Sequence, residues 1–288
     1  MLETSSVPTE QVKQWLGDIK PLWPSLGEVN IKRFLVSFPF SVEKIVINKN
    51  ESFEEISNSL GMKAVKLILS EAMTAPGVKL TVKDNLNRSF VAKAIDQLEW
   101  LTYRTGEIFE FSKVVNERDF LPLHFFHVVL KAAGLVRKYK GHLVATKKGK
   151  ELYRDDKNAL FDSLYSALYE QIDISYFDRV SLNGWPNLQI GIVLCCLTMI
   201  GNDWIPEEML MKKTAIPDKR FWESPRDLPE FAFHARILRP LWWFGLLEHQ
   251  IVHSPELKRE TDEFKKSKAF DRVFTFNLSL PKDGRFMQ

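Results

Sequence analysis

Within residues 131–150 lie seven cations, Lys131, Arg137, Lys138, Lys140, Lys147, Lys148 and Lys150, with no carboxylate among them. Phosphate contact requires clustered positive charge, because each neutralised phosphate releases condensed counterions and supplies affinity that ignores base sequence. Arg137, Lys138, Lys140, His142, Lys147, Lys148 and Lys150 are therefore the candidate nucleic-acid-binding residues. The competing reading is that lysines on a hairpin keep an exposed sheet edge soluble and unpaired. Just upstream, Leu121 to Ala133 offers only His124, His127 and Lys131 as polar side chains, and none of the Arg, Asn or Gln that grip base edges in pairs. Nucleic acid held here would be held by its backbone, with little sequence readout.

Other reactive types are sparse. His124 and His127 have the i, i+3 spacing that can bring two imidazoles together, but no third His or Cys lies nearby, and Glu117 and Asp119 precede the helix start. They read as packing or hydrogen-bonding histidines, and no metal or cofactor is expected. Cys195 and Cys196 are adjacent in an apolar run, which suits neither a disulfide framework nor metal-ligand spacing, so buried, inert thiols are expected. Gly-rich phosphate loops, paired metal-ligand motifs and the Gly-x-Ser-x-Gly elbow are all missing. Trp185, Trp204, Trp222, Trp242, Trp243 and Phe244 could build a stacking platform or a partner pocket, but Leu238, Leu241 and Phe244 share helical spacing, so a core between helices is the simpler reading.

Composition sets the frame for these residues. The chain has 288 residues, 45% hydrophobic and 12% aromatic, with 40 Lys and Arg against 37 Asp and Glu, which excludes a disordered or fibrous protein. The N-terminus lacks the basic start and apolar stretch of a secretory signal. The most apolar run, Leu188 to Ile200, falls short of the roughly 20 residues that cross a bilayer and reads as a core helix. A cytoplasmic protein without membrane contact is expected.

Helical spacing runs from Pro8 to Ile19, then from Ser52 to Leu60 and from Met62 to Ala72, with Gly61 as the break. Val42 to Ile47 suits a short strand or a helix. Val78 to Thr81 is strand-like, Lys83-Asp84-Asn85 has turn composition, and from Asn87 or Arg88 to Tyr103 an amphipathic helix is expected with Phe90, Val91, Ala94, Ile95, Leu98 and Leu101 on its apolar side. A second helix from Asp119 to Ala133 carries Pro122 near its start and Gly134 at its end. Strands Leu135 to Tyr139 and His142 to Ala145 flank a turn at Lys140-Gly141, with Thr146 as cap of the next helix. Helix, strand, turn, strand and helix is the order of a winged-helix unit.

A second unit is suggested by Leu241-Trp-Trp-Phe-Gly245-Leu-Leu, which parallels Leu130-Lys-Ala-Ala-Gly134-Leu-Val. There a helix from Phe231 to Phe244, bent at Pro240, is expected to lead into a strand from Leu246 to Val252. Asp271 to Leu280 is the expected partner strand, and the charged stretch Pro255 to Lys268 reads as a solvated excursion.

Several of these pieces, taken in order, resemble the C-terminal region of an uncharacterised bacterial family named after an open reading frame of a root-inducing plasmid. They are Val78-Lys-Leu-Thr with Leu86, Val114-Val-Asn-Glu-Arg-Asp119 leading to Leu123, and Ala133-Gly-Leu-Val leading to Leu143-Val-Ala-Thr-Lys-Lys-Gly-Lys-Glu-Leu152. The similarity spans roughly residues 70 to 280 and thins after 180. Asp84-Asn85 stands where the family has Gly, and the separate N-terminal domain of many members is not seen. The resemblance implies a prokaryotic origin, often near mobile elements, and helical winged-helix-like architecture; it implies no reaction.

The expected architecture is mainly α with small β-hairpins and two winged-helix-like units: an N-terminal helical region over 1–75, a winged-helix-like domain over 76–160 and a second one over 161–288. The expected function is a non-enzymatic protein that contacts nucleic-acid backbone through the basic wing. The alternative is a protein-interaction adaptor whose aromatic C-terminal half forms the partner surface.

Overall fold

The structure, a computed structural model, describes residues 10–36, 45–47, 54–100, 114–155, 157–182, 184–200, 203–223, 228–254 and 259–278. The fold is mainly helical. Its described strands are, in chain order, β1 (Ile45–Ile47), β2 (Val78–Lys79), β3 (Val136–Tyr139), β4 (His142–Ala145), β5 (Ile205–Pro206), β6 (Leu247–Ser254), β7 (Arg259–Lys266) and β8 (Phe274–Phe276). They form a pair, β1-β8, and two three-stranded sheets, β2-β4-β3 and β5-β7-β6.

The chain divides into two compact units, one of residues 49–172 with Trp243–Gly245, the other of residues 1–48, 173–242 and 246–288. This division cuts through the stretch 1–75 that the sequence suggests as one region. The helix Leu60–Met73 belongs with the basic wing. It starts at Ser59, whose hydroxyl accepts the Met62 amide at 3.3 Å. Gly61, expected to be the break, lies inside its first turn, where a Cβ would run into the Phe126 ring and the Trp243 carbonyl. Close packing, rather than a helix stop, is what calls for glycine there.

In the same unit Asn87 caps the helix Arg88–Leu98, which buries Phe90, Val91, Ala94, Ile95 and Leu98 as the spacing predicts; the expected continuation over 101–103 lies outside the described residues. The helix Leu121–Ala132 carries Pro122 in its first turn and ends at Gly134, with φ of 68°. There the Leu135 amide reaches back to the Leu130 carbonyl at 3.0 Å, and Gly134 to Lys131 at 3.0 Å, the paired bonds of a Schellman end. The chain then runs through β3, turns at Lys140 (φ 47°) and Gly141 (φ 78°), and returns as β4. Two left-handed central residues match the right-handed twist of the paired strands. Thr146 accepts the Gly149 amide at 3.0 Å and opens the helix Lys147–Asp155, so residues 119–152 form the expected helix, hairpin and helix. An aromatic cluster fills the core: Trp243 meets Trp100 at 5.3 Å and Phe125 at 5.2 Å edge-on, and Phe244 meets Phe126 at 5.4 Å and Phe161 at 5.5 Å.

In the other unit the helix Ile190–Met199 is buried along almost its whole length, including Cys195 and Cys196, and burial pushes the Cys195 thiol up to about 11 and the Cys196 thiol well above its ordinary range. No helix among the described residues is long and apolar enough to cross a membrane. Ahead of Pro240, which lacks an amide proton, the helix widens to a π-turn over His234–Leu238, with the Arg239 amide donating to the His234 carbonyl. This turn carries Arg236, whose buried guanidinium donates to both Asp178 oxygens at 2.6 and 2.8 Å and to the carbonyls of Val180, Leu182 and Trp185. All five donors of the cation are thus satisfied, which is what lets it be buried.

Two strand assignments differ from expectation. The charged stretch forms β7, paired with β6 from Leu247↔Lys266 to Ser254↔Arg259, while 255–258 lie outside the described residues. Of the expected partner, Asp271 to Leu280, the first residues belong to a helical turn, Phe270–Val273, and Phe274–Phe276 pair instead with Ile45–Ile47, settling the open reading of that segment as a strand; residues 42–44 and 279–280 are not described. The fully buried Phe264 anchors β7, while Lys265 pairs with Glu248 at 3.0 Å across the hairpin. Even so, the seven-residue parallel marks a true structural repeat. Gly245 has φ of 78°, Leu246 donates to Leu241 at 2.8 Å, and the strand order β5-β7-β6 matches β2-β4-β3.

Candidate nucleic-acid interface

Cross-strand register decides which cations share a surface. Lys79 lies opposite His142, and His142 opposite Tyr139, while Arg137 lies opposite Val144. Directly opposed residues, and residues two apart on a strand, point to the same side. Lys79, Arg137, Tyr139 and His142 therefore occupy one face of β2-β4-β3. The opposite face carries Val78 and Leu143, both buried in the core. At the hairpin tip the Arg137 guanidinium sits 5.1 Å, and the Lys140 ammonium 5.4 Å, from the centre of the Tyr139 ring, which is 48% exposed. Both distances are within the range of cation–π attraction. The His142 ring Nδ1 lies 3.0 Å from the Lys140 carbonyl.

The remaining predicted residues fall elsewhere. Lys138 belongs to the core-facing row of the sheet and reaches round to the Asp84 carboxylate, a partner from a turn 54 residues earlier. That hydrogen bond holds the Asp84 carboxyl below its ordinary range. Lys148 donates to the Ala133 carbonyl at 3.1 Å and to the Ser163 hydroxyl at 2.9 Å, closing the C-terminal end of the helix before the wing. Lys147 and Lys150 are exposed on the following helix, Lys147 at 3.8 Å from Glu151. The structure thus brings together Arg137, Lys140 and His142, adds Lys79 and Tyr139, and draws Lys138 and Lys148 into structural contacts. Strand alternation could have linked Arg137 to Tyr139; the pairing of Lys79 with this face depends on a sheet register that no local pattern encodes.

The helix ahead of the wing is buried, as its composition implies, and its histidines face inward. His124 Nδ1 and His127 Nδ1 each lie 2.8 Å from Glu117 Oε1, and the Leu86 amide donates to Oε2. A 3-10 turn, Glu117–Asp119, closed by reciprocal bonds between Asn116 and Asp119, delivers this carboxylate. Burial alone would raise its pKa, but the bonds from His124 and His127, the charge of His127 and the Leu86 amide outweigh that and hold it at about 2. The aromatic half of the chain is largely core: Trp185, Trp243 and Phe244 are buried, and Trp222 is 37% exposed.

Residues 57–158, which span this site, match the Y4jL N-terminal domain family. The chain is also similar to an uncharacterised protein, y4jL, of Sinorhizobium fredii, with 33% identity over 89 residues, or 31% of this chain. It spans 40% of the length of that relative. The matched family is thus an uncharacterised one, as the sequence resemblance implies, but the match falls on an N-terminal domain and not on a C-terminal region. No solved structure matches the chain.

Proposed function

We propose that this chain is a non-enzymatic, cytoplasmic nucleic-acid-binding protein that grips phosphate backbone with a winged-helix-like unit and reads little sequence. The observation that carries this reading is the exposed Tyr139 ring flanked by Arg137 and Lys140, beside Lys79 and His142 on a solvent-facing sheet. An exposed ring that holds two cations against it concentrates positive charge at the hairpin tip and offers it to phosphates. Among the described residues neither Arg137 nor Lys140 is paired with a carboxylate. The buried helix before the wing leaves no recognition surface for base edges, which fits low specificity.

The test is fluorescence anisotropy with two unrelated duplexes and a single strand over a salt series. Three neutralised phosphates give a slope of roughly −2.7 in log affinity against log salt. Arg137→Glu with Lys140→Glu should weaken binding equally for both duplexes, whereas Lys138→Ala, already tied to Asp84, should leave affinity nearly unchanged. Absence of association at low salt, or an unchanged double variant, overturns the reading in favour of a protein-interaction adaptor.

A further inference from the structure

In the unit containing residues 173–242, the start of the helix Glu207–Thr214, the π-turn and the hairpin β6-β7 bring two carboxylates and two imidazoles together. His234 Nδ1 lies 2.8 Å from Glu207 Oε2, and His249 Nε2 lies 2.6 Å from Asp262 Oδ1. One ligand atom from each of Glu207, His234 and Asp262 lies within 4.8 Å of the other two. We propose that Glu207, His234 and Asp262 form a binding site for a divalent first-row transition metal, with His249 as the residue that orients Asp262.

Several features of the cluster favour an ion. Ligands about 2.1 Å from a zinc or manganese centre stand roughly 3 to 4 Å apart, so small shifts of side-chain ends would let all three donors reach one ion. Glu207 and Asp262 place two carboxylates beside the His234 imidazole, a donor set whose charge a divalent cation balances.

The cluster also has the build of a metal centre. Carboxylates that ligate metals are themselves hydrogen-bonded, and an outer partner such as His249 fixes the oxygen that faces the ion. His249 is itself held between Trp242 and Phe264, with ring centroids at 4.3 and 4.8 Å. The donors sit on the beginning of a helix, a π-turn and a paired strand, and π-turns inside helices recur at functional sites. Glu207 and His234 keep 14% and 19% of their side-chain surface and Asp262 keeps 41%, so water can supply the open coordination positions. One imidazole with two carboxylates suits Mn²⁺ or Zn²⁺ better than a thiol-seeking ion.

The alternative is a pair of hydrogen-bonded His–carboxylate contacts that hold the hairpin and bind nothing. Untagged full-length protein, stripped with a chelator, would be titrated with Co²⁺ as a visible-absorption probe and with Zn²⁺ and Mn²⁺ by calorimetry. The expected result is one ion per chain, with a Co²⁺ spectrum displaced by Zn²⁺ and a raised Tm. His234→Ala and Asp262→Asn should each weaken binding at least tenfold, and His249→Gln about 10- to 100-fold. Glu207→Gln, of the same shape, keeps the test open should His234→Ala fail to fold. Absence of stoichiometric binding overturns the proposal. So does undiminished affinity in a folded His234→Ala or Glu207→Gln variant, or loss of the site on His127→Ala instead.

Discussion

Glu117 carries a charge in a place that water does not reach: its side chain is fully buried, yet two imidazoles and a backbone amide converge on its oxygens. Its carboxyl is held at about 2 against an ordinary 4.5, so its contribution to stability is present above pH 4.5 and is lost as pH falls through about 2. A shift of this size corresponds to something on the order of 3 kcal/mol. Glu117→Gln should therefore destabilise the protein at pH 7 and flatten its stability profile between pH 4.5 and 2. Urea unfolding at pH 7 and pH 3 checks this; an equal deficit at both would contradict it. The histidine pair was legible from its spacing, but the carboxylate was not, because Glu117 precedes the helix. The available signal was Asn116 three residues ahead of Asp119, a capping box that folds the chain back over the helix start.

At the scale of elements, both helix-to-strand junctions end on glycines in the left-handed region, at 68° for Gly134 and 78° for Gly245. Their surroundings differ. A Cβ on Gly134 would meet nothing within 4 Å, whereas one on Gly245 would stand 2.9 Å from the Glu55 carbonyl. Gly134→Ala should thus cost only the backbone strain, about 1 to 2 kcal/mol, and Gly245→Ala clearly more, since a main-chain oxygen cannot turn aside. Equal midpoints for the two variants in chemical denaturation would sink this comparison. Helix ends and the first hairpin were readable because glycine, proline and cap residues act locally. Strand β7 was not, because a run containing Arg259, Glu260, Asp262, Glu263, Lys265 and Lys266 looks solvated unless its partner strand is known.

Over the whole molecule, the unit that holds the basic wing is not one stretch of sequence. Its core includes Trp243 and Phe244, packed against Trp100, Phe125, Phe126 and Phe161. Truncating one such aromatic to Ala costs about 3 to 5 kcal/mol, and stabilities of single domains are themselves only about 5 to 15 kcal/mol. A fragment of residues 49–172 should therefore unfold without a sharp transition and bind an apolar dye, even though it contains the whole Y4jL-like match. Cooperative unfolding of that fragment at full-length stability would show that the aromatic pair is dispensable.

From residues alone came the helical class, the first helix–hairpin–helix with its turn at Lys140-Gly141, the buried cysteine helix and the basic stretch, all of which depend on spacing within about twenty residues. The repeat was visible only as seven residues around Gly245. Sequence could not say that Lys138 is paired with Asp84, that Lys79 joins Arg137 and Tyr139 on one face, or that Glu207, His234 and Asp262 meet. Each of these depends on sheet register or on helix packing across long sequence separations. Such contacts are chosen by burying the whole apolar surface at once, so no single segment encodes them.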